Sequence, residues 1–196
     1  MNVRRATITR KTRETDITLD LAVDGAGQAN VDTGIGFYNH MLAALTMHAG
    51  FDLTVAMRGD LDVDDHHTIE DCALALGSAL DTALGDRAGI ARFGSAYAPL
   101  DEALARAVVD ISGRPYARVS LGLTRDRLGT MSCENLAHAF TSFALAARLT
   151  LHVEVLSGEN DHHRAEAAFK ALALALRAAV VRRDSATVPS TKGVLR

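Results

Sequence analysis

Apolar side chains recur every three to four positions in two stretches of the chain, residues 68–84 ("TIEDCALALGSALDTAL") and residues 164–180 ("RAEAAFKALALALRAAV"). This spacing is typical of a helix that buries one face. Residues 40–55 and 138–153 begin with the same helical spacing and end in an alternation of apolar and polar residues. Each of these two stretches therefore predicts a helix followed by a short strand.

Two further stretches, residues 21–34 and 108–122, place β-branched residues on both sides of a glycine, at Gly25 and Gly113. Such a pattern predicts a strand, a turn and a second strand. The predicted elements thus follow the same order in both halves of the chain.

The second half repeats the first. The two long helical stretches align with a shift of 96 residues and the two helix-strand stretches with a shift of 98. The shift between the strand pairs is about 88, because the second half has an additional loop at residues 123–134. We predict a first β-β-α-β-α repeat in residues 1–90, a second in residues 91–183, and a C-terminal tail in residues 184–196.

This pattern predicts an α+β fold made of an internally duplicated unit, one β-sheet with a pair of helices. A single unit cannot cover both faces of its helices. Two units that pack helix against helix would bury the alanine and leucine stripes, so we expect the helices to lie between two sheets.

Composition and charge exclude several classes of protein. The chain is 48% hydrophobic and 23% charged, with a net charge of -3, which is ordinary for a globular domain and gives no indication of nucleic-acid binding. No apolar run predicts a membrane span or a signal peptide. Five cations near the N-terminus are typical of an exposed edge strand. Cys72 and Cys133 have no metal-finger or disulfide spacing, which favours a cytoplasmic location.

The motif His-His-x-x-Glu occurs twice, in "DHHTIED" (residues 65–71) and "DHHRAEA" (residues 161–167). A lone histidine on a helix is usually structural, but both halves have kept His and Glu while the neighbouring residues differ. In a helix, residues three or four apart share a face, whereas adjacent side chains diverge by about 100°. We therefore predict that the adjacent histidines of each motif bind different metal ions.

One further histidine precedes each motif at matched positions, His40 and His138. Six histidines and two glutamates divide into two sites of three imidazoles and one carboxylate, which suits Mn, Fe, Co, Ni or Zn. Asp65, Asp71 and Asp161 could accept the second ring N–H of a ligating histidine, or could stabilise the N-termini of the helices. The predicted metal ligands are His40, His66, His67, Glu70, His138, His162, His163 and Glu166.

Five segments, taken in order along nearly the whole chain, resemble the imidazoleglycerol-phosphate dehydratase family. They are "GIGFYNHMLAALTMHAGFDL", "DDHHTIEDCALALG", "DISGRP", "NDHHRAEAAFKALALALR" and "VPSTKG". The resemblance implies a ribosomal protein S5 domain 2-like unit and trimers that assemble into a homo-oligomer of 24 subunits, with active sites between subunits.

The resemblance also implies the reaction of a manganese-dependent hydro-lyase of histidine biosynthesis, with two ions per active site. Water is removed from D-erythro-imidazole-glycerol phosphate to give imidazole-acetol phosphate. Metal ions at the substrate's ring nitrogens would favour the imidazolate, which expels hydroxide to form a diazafulvene-like intermediate.

Residue roles implied by the resemblance fall into two groups. Acid/base or other catalytic roles fall to Glu14, His48, Glu70 and Glu166. Substrate binding falls to Glu14, His40, His48, His66, Glu70, Arg92, Arg114, His162, Lys170, Ser190, Thr191 and Lys192, of which Arg92, Arg114, Ser190 and Lys192 would bind the phosphate.

Two positions depart from the family pattern, Asn39 in place of an aspartate and Ala139 in place of a phenylalanine. Neither change removes a ligand, although the first could weaken support for His40. Three alternatives stay open on the residues alone: a dinuclear metallohydrolase, a metal-storage or metal-sensing shell, and a purely structural pair of metal sites.

Overall fold

The structure is a computed structural model that describes residues 4–184 and 187–195. The first half contains β1 (Arg5–Lys11), β2 (Thr15–Ala22), β3 (Ala29–Asp32), α1 (Gly36–Ala49), β4 (Asp52–Gly59) and α2 (His66–Leu84). The second half contains β5 (Phe93–Leu100), β6 (Ala103–Asp110), β7 (Tyr116–Ser120), β8 (Arg127–Leu128), β9 (Met131–Ser132), α3 (Cys133–Ala146), β10 (Thr150–Ser157) and α4 (Asp161–Ala179).

Each half forms a four-stranded sheet with the same topology. The strand order is β1-β2-β4-β3 in the first sheet and β5-β6-β10-β7 in the second. In the first sheet β3 runs parallel to β4, and in the second β7 runs parallel to β10. The other neighbouring strands of both sheets are antiparallel. Alternation explains which face is covered, because Ile17, Leu19 and Leu21 of β2 are buried while the side chains between them face outward.

The four helices lie between the two sheets, which confirms the predicted packing. Helix α2 packs on β1 and β2, helix α4 packs on β5 and β6, and across the middle α1 contacts α4 and α2 contacts α3. Small residues allow the close approach. A Cβ added at Gly77 of α2 would lie 2.5 Å from the carbonyl oxygen of Phe143 in α3, so only glycine fits there.

Each half has one strand more than the predicted β-β-α-β-α order, because β1 and β5 were not counted. Both are edge strands with weak apolar alternation: β1 buries Ala6 among exposed charged residues, and β5 contains Gly94 and Pro99. The additional loop of the second half also forms a small hairpin, β8–β9. The division of the chain at residues 90 and 183 stays a prediction.

Candidate metal centres

Two groups of side chains that could hold a metal ion lie on the helices between the sheets, and each group combines the two halves of the chain. His40 on α1 faces Glu166 on α4, with 3.1 Å between Nε2 and Oε2, and Nε2 of His162 lies 3.3 Å from the same oxygen. We call these three residues the His40 cluster. The cluster contains residues from both halves because α1 packs against α4 rather than against a helix of its own half.

The second group, which we call the His66 cluster, consists of His66 and Glu70 on α2 and His138 on α3. Nε2 of His138 lies 3.1 Å from Oε1 of Glu70, and Nε2 of His66 lies 4.0 Å from Oε2. In each cluster the three ligand atoms lie within 4.8 Å of one another. Two imidazole nitrogens and a carboxylate oxygen so close together suit a first-row transition-metal ion.

The two adjacent histidines of each motif have different surroundings. His66 and His162 each belong to a cluster, whereas His67 and His163 belong to neither cluster of their own chain. The ring centroids of the adjacent histidines lie 5.9 Å apart in the first motif and 6.2 Å apart in the second. That they bind different metal ions stays a prediction. Within one chain each cluster has two of the three predicted imidazoles.

Acidic residues hold His67 and His163 through the Nδ1 atom. Nδ1 of His67 lies 3.0 Å from Oδ2 of Asp60, and Nδ1 of His163 lies 2.7 Å from Oε2 of Glu102. These hydrogen bonds raise the pKa of both imidazoles. The bond from His163, with the backbone N–H groups of Asn160 and Glu159, lowers the pKa of Glu102 to about 2. Since a carboxylate only accepts, Nδ1 donates and the Nε2 lone pair is directed outward.

The glutamates of the two clusters have different surroundings. The side chain of Glu166 is only 14% exposed, and Nζ of Lys170 lies 2.7 Å from its second oxygen. Burial opposes ionisation of Glu166, but Lys170 and His40 outweigh it and lower the pKa. The side chain of Glu70 is 35% exposed and its oxygens face the two histidines of its cluster. Lys170, which the family resemblance assigns to substrate, thus lies beside a cluster.

The three aspartates expected beside the ligands have other partners. Asp65 accepts from the backbone N–H and hydroxyl of Ser132, Asp71 from Thr15, and Asp161 from the Thr124–Arg125 loop. Of the two roles that the sequence left open for these aspartates, direct acceptance from a histidine N–H is not the one seen within the described chain, because each lies beside a loop or strand that supplies several donors.

The residues that do contact the second ring nitrogens are Asp60, Glu102 and Asn135, and the sequence analysis missed all three. Oδ1 of Asn135 lies 3.1 Å from Nδ1 of His66. Glu102 precedes His163 by 61 residues and Asn135 follows His66 by 69, so no local pattern links them. Only Asp60 could have been found from the sequence, because it lies in the acidic segment directly before the first motif.

The two residues predicted for proton transfer or substrate contact lie apart from the clusters. Oε1 of the half-exposed Glu14 is 3.9 Å from Nε2 of His67. His48 lies in the last turn of α1, two turns beyond His40 and about 12 Å further along the helix axis. Within one chain neither residue joins a cluster.

The predicted phosphate residues are divided between the second sheet and the tail. The Arg92 guanidinium donates to both oxygens of Asp110, at 2.7 and 3.1 Å, and to the carbonyl of Pro189 at 2.8 Å. Arg92 therefore holds the chain just before the "STKG" turn, in which the hydroxyl of Ser190 accepts from the backbone N–H of Lys192. Arg114, Thr191 and Lys192 are exposed.

Asn39, the departure nearest a ligand, supports a loop. Its side-chain oxygen accepts from the backbone N–H of Thr33 at 3.0 Å and from the Thr33 hydroxyl at 2.6 Å. These two hydrogen bonds fix the loop that leads into α1, the helix that carries His40. Asn39 therefore influences His40 by fixing the position of the helix.

A duplicated α+β fold with paired His/Glu clusters between its helices defines a class of protein with two matched groups of side chains that could hold metal ions. No helix in the described ranges has the length and apolar character needed to cross a membrane. The model of one family, imidazoleglycerol-phosphate dehydratase, matches residues 33–176, and the chain belongs to that family.

Individual relatives agree with the family. The chain is 61% identical over 193 residues to an imidazoleglycerol-phosphate dehydratase of Phytophthora nicotianae, covering 98% of this chain and 43% of that protein. It is 55% identical to the imidazoleglycerol-phosphate dehydratase of Phaffia rhodozyma, and the match covers 98% of this chain and 97% of that protein. A crystal structure of the Staphylococcus aureus enzyme superposes with a TM-score of 0.82 at 36% identity, covering 91% of this chain and 99% of that one. The expected family and fold class are thereby confirmed.

Proposed function

We propose that this chain is a manganese-dependent hydro-lyase that converts D-erythro-imidazole-glycerol phosphate to imidazole-acetol phosphate in histidine biosynthesis. Membership of the family supports the substrate and the reaction. The observation that carries the proposal is the pair of matched His/Glu clusters. Two metal sites suit a substrate whose imidazole ring offers two nitrogens, one for each ion.

The described residues fit two manganese ions. His40, His162 and Glu166 would hold one, and His66, Glu70 and His138 the other. Manganese accepts both imidazole and carboxylate ligands. When bound, the ions supply Lewis acidity at the substrate ring. The residues of the chain orient that ring and place acid and base groups beside its side chain.

We propose that a homo-oligomer completes the sites, as trimers that assemble into a 24-mer. His67 and His163 lie outside the clusters of their own chain, and their Nε2 atoms face away from Asp60 and Glu102. A neighbouring copy can therefore use them as the third imidazole of its clusters. Both imidazoles are partly exposed, and a hydrogen bond at Nδ1 leaves Nε2 as the metal-ligating atom, which supports such sharing.

Proton transfer is proposed for Glu14, with His48, Glu70 and Glu166 as further candidates. Dehydration removes a proton from one carbon and a hydroxide from the next, so it needs a base and an acid. Glu14 is half-exposed and lies 3.9 Å from His67, so it would stand at the edge of any site that His67 completes. His48 would have to serve a site on another copy.

The phosphate would bind to Arg92, Arg114, Ser190 and Lys192, with Thr191 as a further substrate-binding residue of the same turn. Arg92 already pairs with Asp110 and holds Pro189, so its contribution includes placing the turn. The exposed cations Arg114 and Lys192 are available to a dianion. We also propose a cytoplasmic location; the two cysteines are free and buried, which suits a reducing compartment.

Activity measurements on the full chain test the proposal. Purified protein stripped of metal and reloaded with Mn²⁺ is given imidazoleglycerol phosphate, and the enolised ketone is followed by absorbance. We expect product only with metal. Inorganic phosphate as the product would identify a hydrolase instead, and stoichiometric metal binding without turnover would identify a storage or structural role.

A further inference from the structure

Asn135 is a buried polar residue between an aspartate and a candidate ligand. It is the third residue of α3 and its exposed fraction is 4%. Its Nδ2 lies 3.0 Å from Oδ1 of Asp65, and its Oδ1 lies 3.1 Å from Nδ1 of His66. Asp65 is also buried, so the hydrogen bond between Asn135 and Asp65 is shielded from water, whereas His66 is partly exposed.

The hydrogen bonds allow one orientation of the amide. Since the Asp65 carboxylate only accepts, the NH₂ group of Asn135 must face it and the amide oxygen must face His66. That oxygen in turn accepts from Nδ1, so the His66 ring carries its proton on Nδ1. The lone pair of Nε2 is then directed toward Glu70 and His138. Asp65 thus acts on His66 through Asn135.

The matched position in the other half carries a different residue. With the shift of 98 that aligns His40 with His138, Asn135 coincides with Phe37. The ring of Phe37 lies edge-on to His162, with 5.1 Å between ring centroids and 75° between planes. An aromatic edge packs the imidazole but has no lone pair to accept its N–H. The two clusters therefore hold equivalent histidines by different chemistry.

We propose that Asn135 is a positioning residue that fixes the tautomer of His66 and makes the His66 cluster the tighter of two unequal metal sites. The inference rests on the proposed metal-dependent function. Two features of the His40 cluster point the same way: His162 is held by ring packing, and Lys170 forms an ion pair with Glu166 that a metal ion must compete with. Hydrogen bonds to the second nitrogen of a ligating histidine strengthen metal binding.

A manganese titration of full-length protein tests this inference with the metal alone. Metal-stripped protein is titrated with Mn²⁺, and the free ion is counted by electron paramagnetic resonance. We expect two classes of site in the wild type. Asn135→Leu removes the acceptor at similar volume and should weaken the tighter class by about 10–100-fold. Phe37→Leu, the matched control, should leave the tighter class unchanged.

A second variant separates positioning from packing. Asn135→Asp keeps an oxygen toward His66 but places a carboxylate against Asp65, so it should lower the melting temperature while retaining tight binding of Mn²⁺. Asn135→Leu, in contrast, should lose the tight binding of Mn²⁺. Equal Mn²⁺ curves for wild type and Asn135→Leu, or loss of the tighter class in Asn135→Asp at a temperature where it is folded, would overturn the inference. Failure of the wild type to bind Mn²⁺ would instead count against the proposed function.

Discussion

The His66 cluster and the His40 cluster are built from equivalent residues of the two repeats, yet their surroundings differ. In the first, an amide held by Asp65 orients one histidine and the glutamate faces its two imidazoles. In the second, a phenylalanine packs against the equivalent histidine and a lysine pairs with the glutamate. The comparison teaches that a duplicated motif can keep its ligands while the residues behind them diverge.

Loss of a cluster carboxylate should have the largest effect. Glu70→Gln removes the anionic ligand of the His66 cluster, so we expect one Mn²⁺ per chain to be lost and turnover to fall by more than the 10–100-fold that is typical of outer-shell changes. Metal analysis and steady-state kinetics measure the two effects. Glu166→Gln should remove the other ion. Unchanged metal content in Glu70→Gln would show that Glu70 is no ligand.

Lys192→Ala should affect neither cluster. The loss of one charge-assisted hydrogen bond to phosphate, worth about 1.5–3 kcal/mol, predicts a rise in KM of about tenfold or more with unchanged metal content. Kinetics and metal analysis on the same preparation check both expectations. An unchanged KM would remove Lys192 from the phosphate site.

Lys170→Met should bring the two clusters closer together in affinity. The variant removes the cation beside the mostly buried Glu166, so a metal ion no longer competes with it and we expect the weaker class of Mn²⁺ sites to tighten. The same titration by electron paramagnetic resonance gives the result. A weakened site would mean that Lys170 supports metal binding.

Substitution of the acidic residues that hold His67 and His163 should have the smallest effect, a change in the melting temperature of metal-free protein. Glu102→Gln removes the ion pair with His163. Folding lowers the pKa of Glu102 from 4.5 to about 2, so its contribution is present above about pH 4.5 and is lost as the pH falls toward 2. Folding raises the pKa of His163 above 6.5, so its contribution is present below 6.5 and is lost as the pH rises through the folded value.

The difference in melting temperature between wild type and Glu102→Gln should therefore be greatest between about pH 4.5 and 6.5 and smaller on either side. Thermal melts of chelator-treated protein across this range test the expectation, with Asp60→Asn as the matched variant in the other half. A difference that did not depend on pH would indicate a packing effect of Glu102 rather than an ionic one.

Much of the fold and the ligand geometry could be predicted because the signals are local. The periods of residues 68–84 and 164–180 gave two helices, and the splay of adjacent histidines follows from helix geometry alone. The contact between Lys170 and Glu166 also has the i, i+4 spacing of a helix and could have been found.

The remaining features depend on tertiary packing. The pairing of α1 with α4 decides that His40 meets Glu166 of the other half, and the amphipathic pattern of α1 does not specify its partner. Asn135 and Glu102 reach their histidines across sequence separations of more than sixty residues. Edge strands such as β5 are defined by the pairing of their backbone with β6 rather than by their own side chains.

The crossed pairing of helices has a consequence for how such a protein could arise. An isolated half holds His66 and Glu70, or His162 and Glu166, without the histidine that faces them, so it carries no complete cluster. Two separate but identical copies could build both clusters, but positions 37 and 135 would then be the same residue. Joining the copies in one chain allows each position to change alone, so that symmetry inherited from duplication becomes a means of giving two His/Glu clusters different environments.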